Sequence, residues 1–127
     1  MKMRIYYEDT DCGNVVYYAN YLKYMERSRT ELLRERGIDL AEYHKNGHLF
    51  AVTEANIRYK APARYNDLLD LESKIVELTP VTMLFSTDIK RAADGALLVT
   101  GDVRVACITP EGKAQRMPRE LKTKLSI

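Results

Sequence analysis

The stretch Glu8-Asp9-Thr10-Asp11-Cys12-Gly13-Asn14, called the acidic loop below, combines three carboxylates with turn-forming residues. It separates a short strand pattern, Met3 to Tyr7, from a long segment of helical periodicity that begins near Ala19. The first turn of a helix leaves backbone N–H groups without partners and carries a partial positive charge. A carboxylate held at this point would lie beside N–H groups that can stabilise an oxyanion.

The long helical pattern runs from Ala19 to about Arg36, and Gly37 is a typical C-terminal cap. Apolar side chains recur on one face at spacings of three and four residues: Leu22, Met25, Leu32 and Leu33. A second, short helix is predicted to begin at Asp39, a plausible N-cap, and to end by Gly47.

After Gly47 the hydrophobic period changes to two, which indicates strands. The predicted strands are Leu49 to Tyr59, Leu69 to Leu78, Thr82 to Lys90 and Leu97 to Cys107. Asp94-Gly95 is typical of a hairpin turn, and Pro118 to Leu125 is either a last strand or a short terminal helix. The order indicates an α+β fold in which antiparallel strands pack on one long helix. One helix cannot cover both faces of such a sheet, so the open face is expected to contact another subunit.

The composition is typical of one globular domain, and we expect it to span residues 1–127. Its 20 basic and 18 acidic residues give a net charge of +2, without the basic excess of a nucleic-acid-binding protein. No apolar run approaches the ~20 residues that a membrane span requires. The N-terminal residues move straight into a strand pattern without the apolar core of a signal peptide. These features predict a cytoplasmic protein with neither a nucleic-acid partner nor a membrane span.

The residue order resembles the signature of the hotdog superfamily, in its 4-hydroxybenzoyl-CoA thioesterase-like branch and especially the YbgC-type acyl-CoA thioesterases. The matching residues are Tyr7-Glu8-Asp9-Thr10-Asp11, Gly13, Val15-Val16-Tyr17, Asn20-Tyr21-Leu22 and Met25-Glu26-Arg27. Weaker matches lie at Tyr59 to Asp67 and at Arg116-Met117-Pro118. The resemblance implies a hotdog fold, an antiparallel sheet wrapped around one central helix, assembled as a dimer or a homotetramer. It also implies an acyl-CoA substrate that is hydrolysed without a cofactor.

Within this resemblance, Asp11 matches the catalytic acid of the family, and the backbone N–H of Tyr18 matches the donor to the thioester carbonyl. Many YbgC-type members carry a histidine where this chain has Tyr18, so one side-chain acid or base is lost while the backbone donor remains. Asp11 would either attack the thioester or activate a water, and the sequence does not separate these routes. A purely structural alternative is that the acids of this turn only cap the helix or complement its dipole.

Other residues are candidates for contact with the substrate. We expect Asn20 to bond loop backbone at the site, and Glu26 either to be an exposed charge or to meet the acyl group. Basic residues that could hold the phosphates of CoA flank loops that the family uses: Lys60, Arg64, Arg91 and Arg116.

Cysteine nucleophiles and metal sites are less favoured by the sequence. Cys12 adjoins Asp11, but no histidine lies near enough in sequence to activate its thiol, and Cys107 is predicted to be a buried core residue. His44 and His48 are four residues apart, but Asn46-Gly47 ends the helix between them, which argues against a zinc pair. The acids of the acidic loop have no supporting carboxylate at a spacing suited to a hard metal.

Two other functions stay open. One is a non-catalytic protein that binds acyl thioesters or acts as a scaffold, which would keep the fold without needing an acid at position 11. The other is a hotdog dehydratase acting on 3-hydroxyacyl thioesters. That chemistry normally relies on a histidine with an acid, and neither histidine of this chain lies in a matching motif.

Overall fold

The computed structural model describes residues 1–126, so the last residue of the predicted domain, Ile127, lies outside the described part. Its elements are β1 (Lys2–Arg4), α1 (Asn20–Glu35), α2 (Leu40–Lys45), β2 (Leu49–Tyr59), β3 (Leu68–Leu78), β4 (Thr82–Arg91), β5 (Leu97–Ile108) and α3 (Arg119–Lys124). The five strands form one antiparallel sheet in the order β1-β3-β4-β5-β2. The predicted α+β layout of one long helix with antiparallel strands is confirmed.

Helix α1 packs on one face of the sheet through a stripe that differs from the predicted one. Its buried residues are Tyr21, Tyr24, Met25, Ser28 and Leu33. Leu22 is 43% exposed, so its assignment to the core-facing stripe was wrong. Neighbouring helical residues lie ~100° apart around the helix axis. Because Tyr21 packs against the sheet, the next residue, Leu22, faces solvent. Gly37 ends the helix in a left-handed conformation (φ 74°), as predicted.

Close contact between α1 and β5 depends on Gly101. A Cβ atom added at this position would lie 2.5 Å from Cε and 2.7 Å from Sδ of Met25. The methionine side chain therefore occupies the space that any larger residue on β5 would need. This contact brings the first half of α1 close to the centre of the sheet.

Two buried clusters lie along α1. The first surrounds the N-terminal half of the helix and contains, among others, Ile5, Val16, Tyr21, Tyr24, Met25, Ala63 and Leu69. The second surrounds the C-terminal half and contains, among others, Leu33, Ile38, Tyr43, Phe85, Cys107, Met117 and Leu121. The N-terminal cluster matters for function because it fixes the start of α1 and the loop that precedes it.

Several predicted boundaries change for local reasons. Strand β1 ends at Arg4, and Tyr7–Asp9 forms a 3-10 turn because the carboxylate of Asp9 accepts the N–H of Tyr6 at 2.8 Å. The last segment is a helix, α3. Asp39 is the N-cap of α2, as predicted, and accepts the N–H of Ala41 at 3.0 Å.

Two consecutive residues of β5, Leu98 and Val99, are fully buried, which a regular strand alternation would not give. A register shift between Ile89 and Lys90 of β4 adds one residue on the β5 side of the pairing, which reverses the side-chain alternation there.

The sheet face that points away from α1 is polar. Residues on this face are mainly charged: Asp70, Glu72, Lys74, Asp88, Lys90, Asp102 and Arg104. An antiparallel sheet with one apolar and one charged face is stable with its charged face in water. Cover by a second subunit is therefore not required here, and the expected subunit contact at this face stays a prediction.

Apolar exposure instead occurs at the β2 edge of the sheet. Strand β2 is eleven residues long and pairs only with β5. Val52 is 52% exposed and Tyr59 is 49% exposed. A long edge strand with exposed apolar side chains is a surface on which another strand can pair. No helix in residues 1–126 is both long and apolar enough to cross a membrane.

Candidate active site

Asp11 lies in a loop closed by short backbone hydrogen bonds. Its N–H donates to the carbonyl of Val15 at 2.9 Å, and its carbonyl accepts the N–H of Asn14 at 3.1 Å. Its Oδ1 accepts the N–H of Gly13 at 2.8 Å, while no hydrogen bond to Oδ2 is present within residues 1–126. The side chain is exposed. The loop thus fixes one carboxylate oxygen and leaves the other free to react.

Two bonds to a single carbonyl attach this loop to the beginning of α1. The carbonyl of Asp9 accepts the backbone N–H of Tyr17 and the side-chain Nδ2 of Asn20, both at 3.0 Å. Val16, which is 3% exposed, donates its N–H to the carbonyl of Ala63 at 2.9 Å. Asn20 therefore bonds loop backbone, as its sequence position suggested.

The segment Tyr17–Asn20, called the helix start below, offers unused donors. In the described part of the chain, the backbone N–H groups of Tyr18 and Ala19 have no acceptor. The ring of Tyr18 is 61% exposed, and its carbonyl accepts a hydrogen bond from Oη of Tyr59 at 3.1 Å. The free N–H groups at the positive end of α1 are suited to an anionic or strongly polarised oxygen.

The charge of Asp11 reaches the helix start. The pKa of the Tyr17 phenol is raised, mainly by the neighbouring phenol of Tyr18 and, to a smaller extent, by burial and the negative charge of Asp11. The backbone hydrogen bonds from Asp11 to Val15 and from Tyr17 to Asp9 hold the acidic loop against the helix start.

A row of tyrosine rings in mutual contact packs beside the helix start. The ring of Tyr59 contacts those of Tyr18 and Tyr21 at centroid distances of 6.3 and 5.6 Å, and Tyr21 contacts Tyr24 at 5.8 Å. Burial raises the pKa of Tyr21, whose hydroxyl accepts the N–H of Ala63 at 3.1 Å. Tyr59 was not singled out by the sequence. The only signal was its place at the end of a strand that immediately precedes Lys60.

Two of the four basic candidates lie beside the helix start. Lys60 is exposed and lines a shallow pocket of about 290 Å³ together with Val15, Tyr18 and Tyr59. Arg64 is exposed and follows Ala63, whose carbonyl binds the N–H of Val16. Lys60 therefore lies beside Tyr18, and Arg64 is one residue away from a backbone contact with Val16.

Arg91 is used within the chain. Its Nε is 3.3 Å from Oδ2 of Asp67, its Nη1 is 3.0 Å from Oδ2 of Asp94, and its Nη2 donates to the carbonyl of Pro62 at 3.3 Å. These three bonds join the loop of residues 62–67 to the hairpin after β4. We therefore assign Arg91 a structural role in holding that loop.

We expect the substitution Arg91→Gln to lower the free energy of unfolding by about 2 kcal/mol, because it removes hydrogen bonds to two carboxylates. Urea unfolding of both proteins measures the difference. The control Arg119→Gln changes an exposed arginine at the start of α3, away from the β2 edge, and should unfold at the wild-type midpoint. Equal midpoints for the Arg91 and Arg119 variants would contradict the structural role.

Arg116 lies far from Asp11 in the same chain. The adjacent Met117 belongs to the cluster around the C-terminal half of α1. Nε2 of Gln115 donates to the carbonyls of Gly47 at 2.7 Å and Ile108 at 2.9 Å, which places this segment beside the beginning of β2. One chain alone does not bring Arg116 to the helix start.

A cavity of about 340 Å³, called the α1–β2 cavity below, lies between the second half of α1, α2 and the sheet. Glu26 lines it, together with Arg29, Phe50 and Val52. Neither Asp11 nor Tyr18 is part of its lining. In a single chain the free carboxylate and this cavity are therefore separate.

Both cysteines are unpaired. Cys12 is exposed beside Asp11, and Cys107 is buried as predicted. Within residues 1–126, no group of three or more His, Cys, Asp or Glu side chains is arranged to hold a metal ion.

Comparison with known proteins gives a consistent result. Residues 6–125 match the model of the thioesterase-like superfamily. The chain is 37% identical to the acyl-CoA thioesterase YbgC of Haemophilus influenzae over 122 residues, which cover 94% of this chain and 88% of that protein. It is 34% identical to the acyl-CoA thioester hydrolase YbgC of Escherichia coli O157:H7 over 120 residues, covering 94% of this chain and 89% of that protein.

The fold also matches a solved structure, that of a 1,4-dihydroxy-2-naphthoyl-CoA thioesterase from Synechocystis. The TM-score is 0.91 at 23% identity, and the match covers 98% of this chain and 93% of that one. This likeness confirms the predicted hotdog fold, with its sheet wrapped around one long helix. By its sequence and its fold, the chain belongs to the thioesterase-like superfamily, a family of thioester hydrolases, among the YbgC-type acyl-CoA thioesterases.

Proposed function

We propose that this chain hydrolyses acyl-CoA to a free acid and CoA, with Asp11 as the reacting carboxylate. The observation that supports this most is the free Oδ2 of Asp11, in a loop that backbone hydrogen bonds attach to the helix start with its unbonded N–H groups. The thioester carbonyl would accept a hydrogen bond from the N–H of Tyr18. This bond and the dipole of α1 would stabilise the negative charge that develops on the carbonyl oxygen.

Two routes satisfy this geometry. In the first, Oδ2 attacks the carbonyl carbon, the C–S bond breaks, the CoA thiolate leaves, and water hydrolyses the resulting anhydride. In the second, Oδ2 accepts a proton from water, the hydroxide adds to the carbonyl carbon, and the thiolate leaves and is protonated. Both routes need the ionised carboxylate and the backbone donor, and neither needs a cofactor.

The direct test is release of free thiol from a panel of acyl-CoAs by the purified protein. A protein that binds these thioesters without releasing thiol from any of them would support the scaffold alternative instead. Within one chain, His44 packs on Phe50 and lines the α1–β2 cavity, away from Asp11, so it does not form with Asp11 the histidine–acid pair that the dehydratase alternative needs.

We further propose that the active unit is a homo-oligomer built on a two-fold pair of β2 edges. Such a pair would continue the sheet from one subunit into the other and would cover Val52 and Tyr59. Two such dimers could form the homotetramer implied by the resemblance. We also propose a cytoplasmic location, since both cysteines are unpaired and one of them is exposed.

This pairing would bring separated parts of the site together. Antiparallel pairing about a two-fold axis sets the Tyr59 end of one β2 beside the Leu49 end of the other. Tyr59 binds Tyr18 in its own chain, whereas Phe50 and Val52, near the Leu49 end, line the α1–β2 cavity. The helix start of one subunit would then open toward the cavity of the other, and the cavity would receive the acyl group.

The same pairing gives Arg116 a role. Its segment is tied to Gly47, immediately before β2, so Arg116 of one subunit would approach the helix start of the other. Together with Lys60 and Arg64, it would then contact the phosphates of CoA at the mouth of the composite site.

The double substitution Lys60→Gln and Arg64→Gln is expected to raise KM for acyl-CoA roughly fivefold to tenfold with little change in kcat, because exposed charge pairs contribute ~0.2–1 kcal/mol each. Hydrolysis of an N-acetylcysteamine thioester, which has no phosphates, should not change. The control pair Lys74→Gln and Lys90→Gln removes the same charge from the outer sheet face and should leave both substrates unaffected. Equal loss on the two substrates would exclude the phosphate contacts.

A further inference from the structure

The α1–β2 cavity is mostly apolar. Its apolar walls come from both helices and from three strands: Leu33, Leu40, Phe50, Met83, Phe85 and Val105. Its volume of about 340 Å³ lies at the lower end of the range for small-ligand sites. Apolar walls of this kind suit a hydrocarbon chain, so the few polar groups among them decide what the end of that chain can be.

Arg29 is the exceptional polar group of this lining. It is partly buried, and desolvation lowers the pKa of its guanidinium, while the charge of Glu26 acts in the opposite direction. Within residues 1–126 it takes part in no ion pair and no side-chain hydrogen bond. Glu26, one turn earlier, instead accepts a hydrogen bond from the hydroxyl of Thr30 at 3.1 Å.

The other partly buried arginines of residues 1–126 have acceptors: Arg36 donates to the carbonyl of Leu125, and Arg91 is paired with Asp67 and Asp94. Arg34, on the same helix and also at the cavity, lies 3.2 Å from Glu31, and Arg104 lies 3.0 Å from Glu77. A desolvated guanidinium without an acceptor is unfavourable, because it has given up water without gaining a counter-charge. Its planar fork of donors matches the two oxygens of a carboxylate.

We infer that the acyl group carries a carboxylate at its far end and that Arg29 binds this carboxylate, so that the substrates are CoA thioesters of dicarboxylic acids. This inference rests on the proposed function and on the pairing of β2 edges that joins the helix start to the cavity. The thioester reacts at Asp11 of one subunit, the methylene chain lies along the apolar walls of the other, and Arg29 sets the terminal group.

The test compares two series of acyl-CoAs matched in chain length, one ending in a methyl group and the other in a carboxylate. Succinyl-, adipoyl-, suberoyl- and sebacoyl-CoA are paired with the butanoyl, hexanoyl, octanoyl and decanoyl thioesters. The quantity measured is the ratio of kcat/KM between the two members of each pair. The wild type is expected to favour the carboxylate at one chain length, and Arg29→Gln is expected to lower that ratio about 30-fold or more.

Arg27→Gln is the matched control, because it removes an exposed arginine of the same helix that does not line the cavity, and it should leave the ratio unchanged. An unchanged ratio in Arg29→Gln, or a wild type that favours the methyl series at every length, would overturn the inference. Equal loss on both series with a change from oligomer to monomer would also overturn it, since Arg29 would then serve the subunit contact. A wild type that hydrolyses neither series would instead refute the proposed function.

Discussion

The substitution Asp11→Asn is expected to lower kcat for acyl-CoA hydrolysis by about 10²–10⁴-fold, the range that a positioned acid or base contributes. The amide oxygen of asparagine can still accept the N–H of Gly13, so the loop keeps its shape. The free carboxylate oxygen becomes a neutral amide group, which neither attacks a thioester nor removes a proton from water. Thiol release under saturating substrate measures the effect.

The control for this prediction is Glu8→Gln, which removes an exposed carboxylate from the same acidic loop. This variant should keep kcat within twofold of the wild type. Both variants should melt close to the wild type and keep its oligomer size, because neither side chain is part of the buried clusters. Undiminished thiol release by Asp11→Asn would remove Asp11 from the mechanism.

The double substitution Val52→Asp and Ala55→Asp is expected to give a folded monomer with at least about 100-fold lower kcat/KM, although Asp11 and the helix start are unchanged. Both side chains are exposed in the single chain, so the fold tolerates them. In a two-fold pair of β2 edges, the added carboxylates would face one another across the new pairing, where like charges are unfavourable. Separated subunits would leave the helix start without its cavity, and a misplaced acyl group costs about two orders of magnitude in rate. A carboxylate at position 52, which lines that cavity, would add to the loss.

Light scattering gives the mass of this variant, and thiol release gives its activity. Val76→Asp is the control, because it places the same charge at an exposed apolar position on β3, outside the β2 edge. That control should remain an oligomer and stay active. A Val52/Ala55 variant that is monomeric but fully active would show that one chain suffices, and an unchanged mass would move the subunit contact to another surface.

The parts of the site that are local in sequence could be predicted from it. The acidic loop, the start of α1 and the N-cap at Asp39 depend on hydrogen bonds between residues a few positions apart. Gly37 and Asp94-Gly95 end elements through backbone conformations that few other residues adopt. Such features depend only on residues that are close in sequence, so they can be predicted from the local sequence pattern.

The parts that depend on distant contacts could not be predicted. The hydrogen bond from Tyr59 to Tyr18 joins residues that are 41 positions apart, and nothing near Tyr59 distinguishes it from the other tyrosines. The sequence predicts Arg91 as a ligand of the CoA phosphates, but in the fold it is paired with Asp67 and Asp94, which lie 24 and 3 positions away. The rotation of α1 that exposes Leu22 is likewise set by how the helix meets the sheet, and a period of 3.6 residues does not define that angle.

The expectation of a subunit contact at the outer sheet face did not take the charges of that face into account. The charged residues of the outer sheet face alternate with the apolar ones along β3, as in Leu69, Asp70, Leu71 and Glu72. Such alternation is itself typical of a strand with one wet face. The sequence therefore already indicated that one face of the sheet is stable in water, even though one helix covers only the other face.

The two borders of the sheet are unequal, and this inequality limits how far copies of the chain can add to one another. On one border, β1 offers only three residues before the 3-10 turn at Tyr7–Asp9 diverts the backbone, whereas β2 offers eleven on the other. If two copies joined through the longer border, that border would be covered in both, and only the two short ones would stay exposed. Growth by strand addition would then stop after one step, which would protect such an assembly from polymerising into fibres.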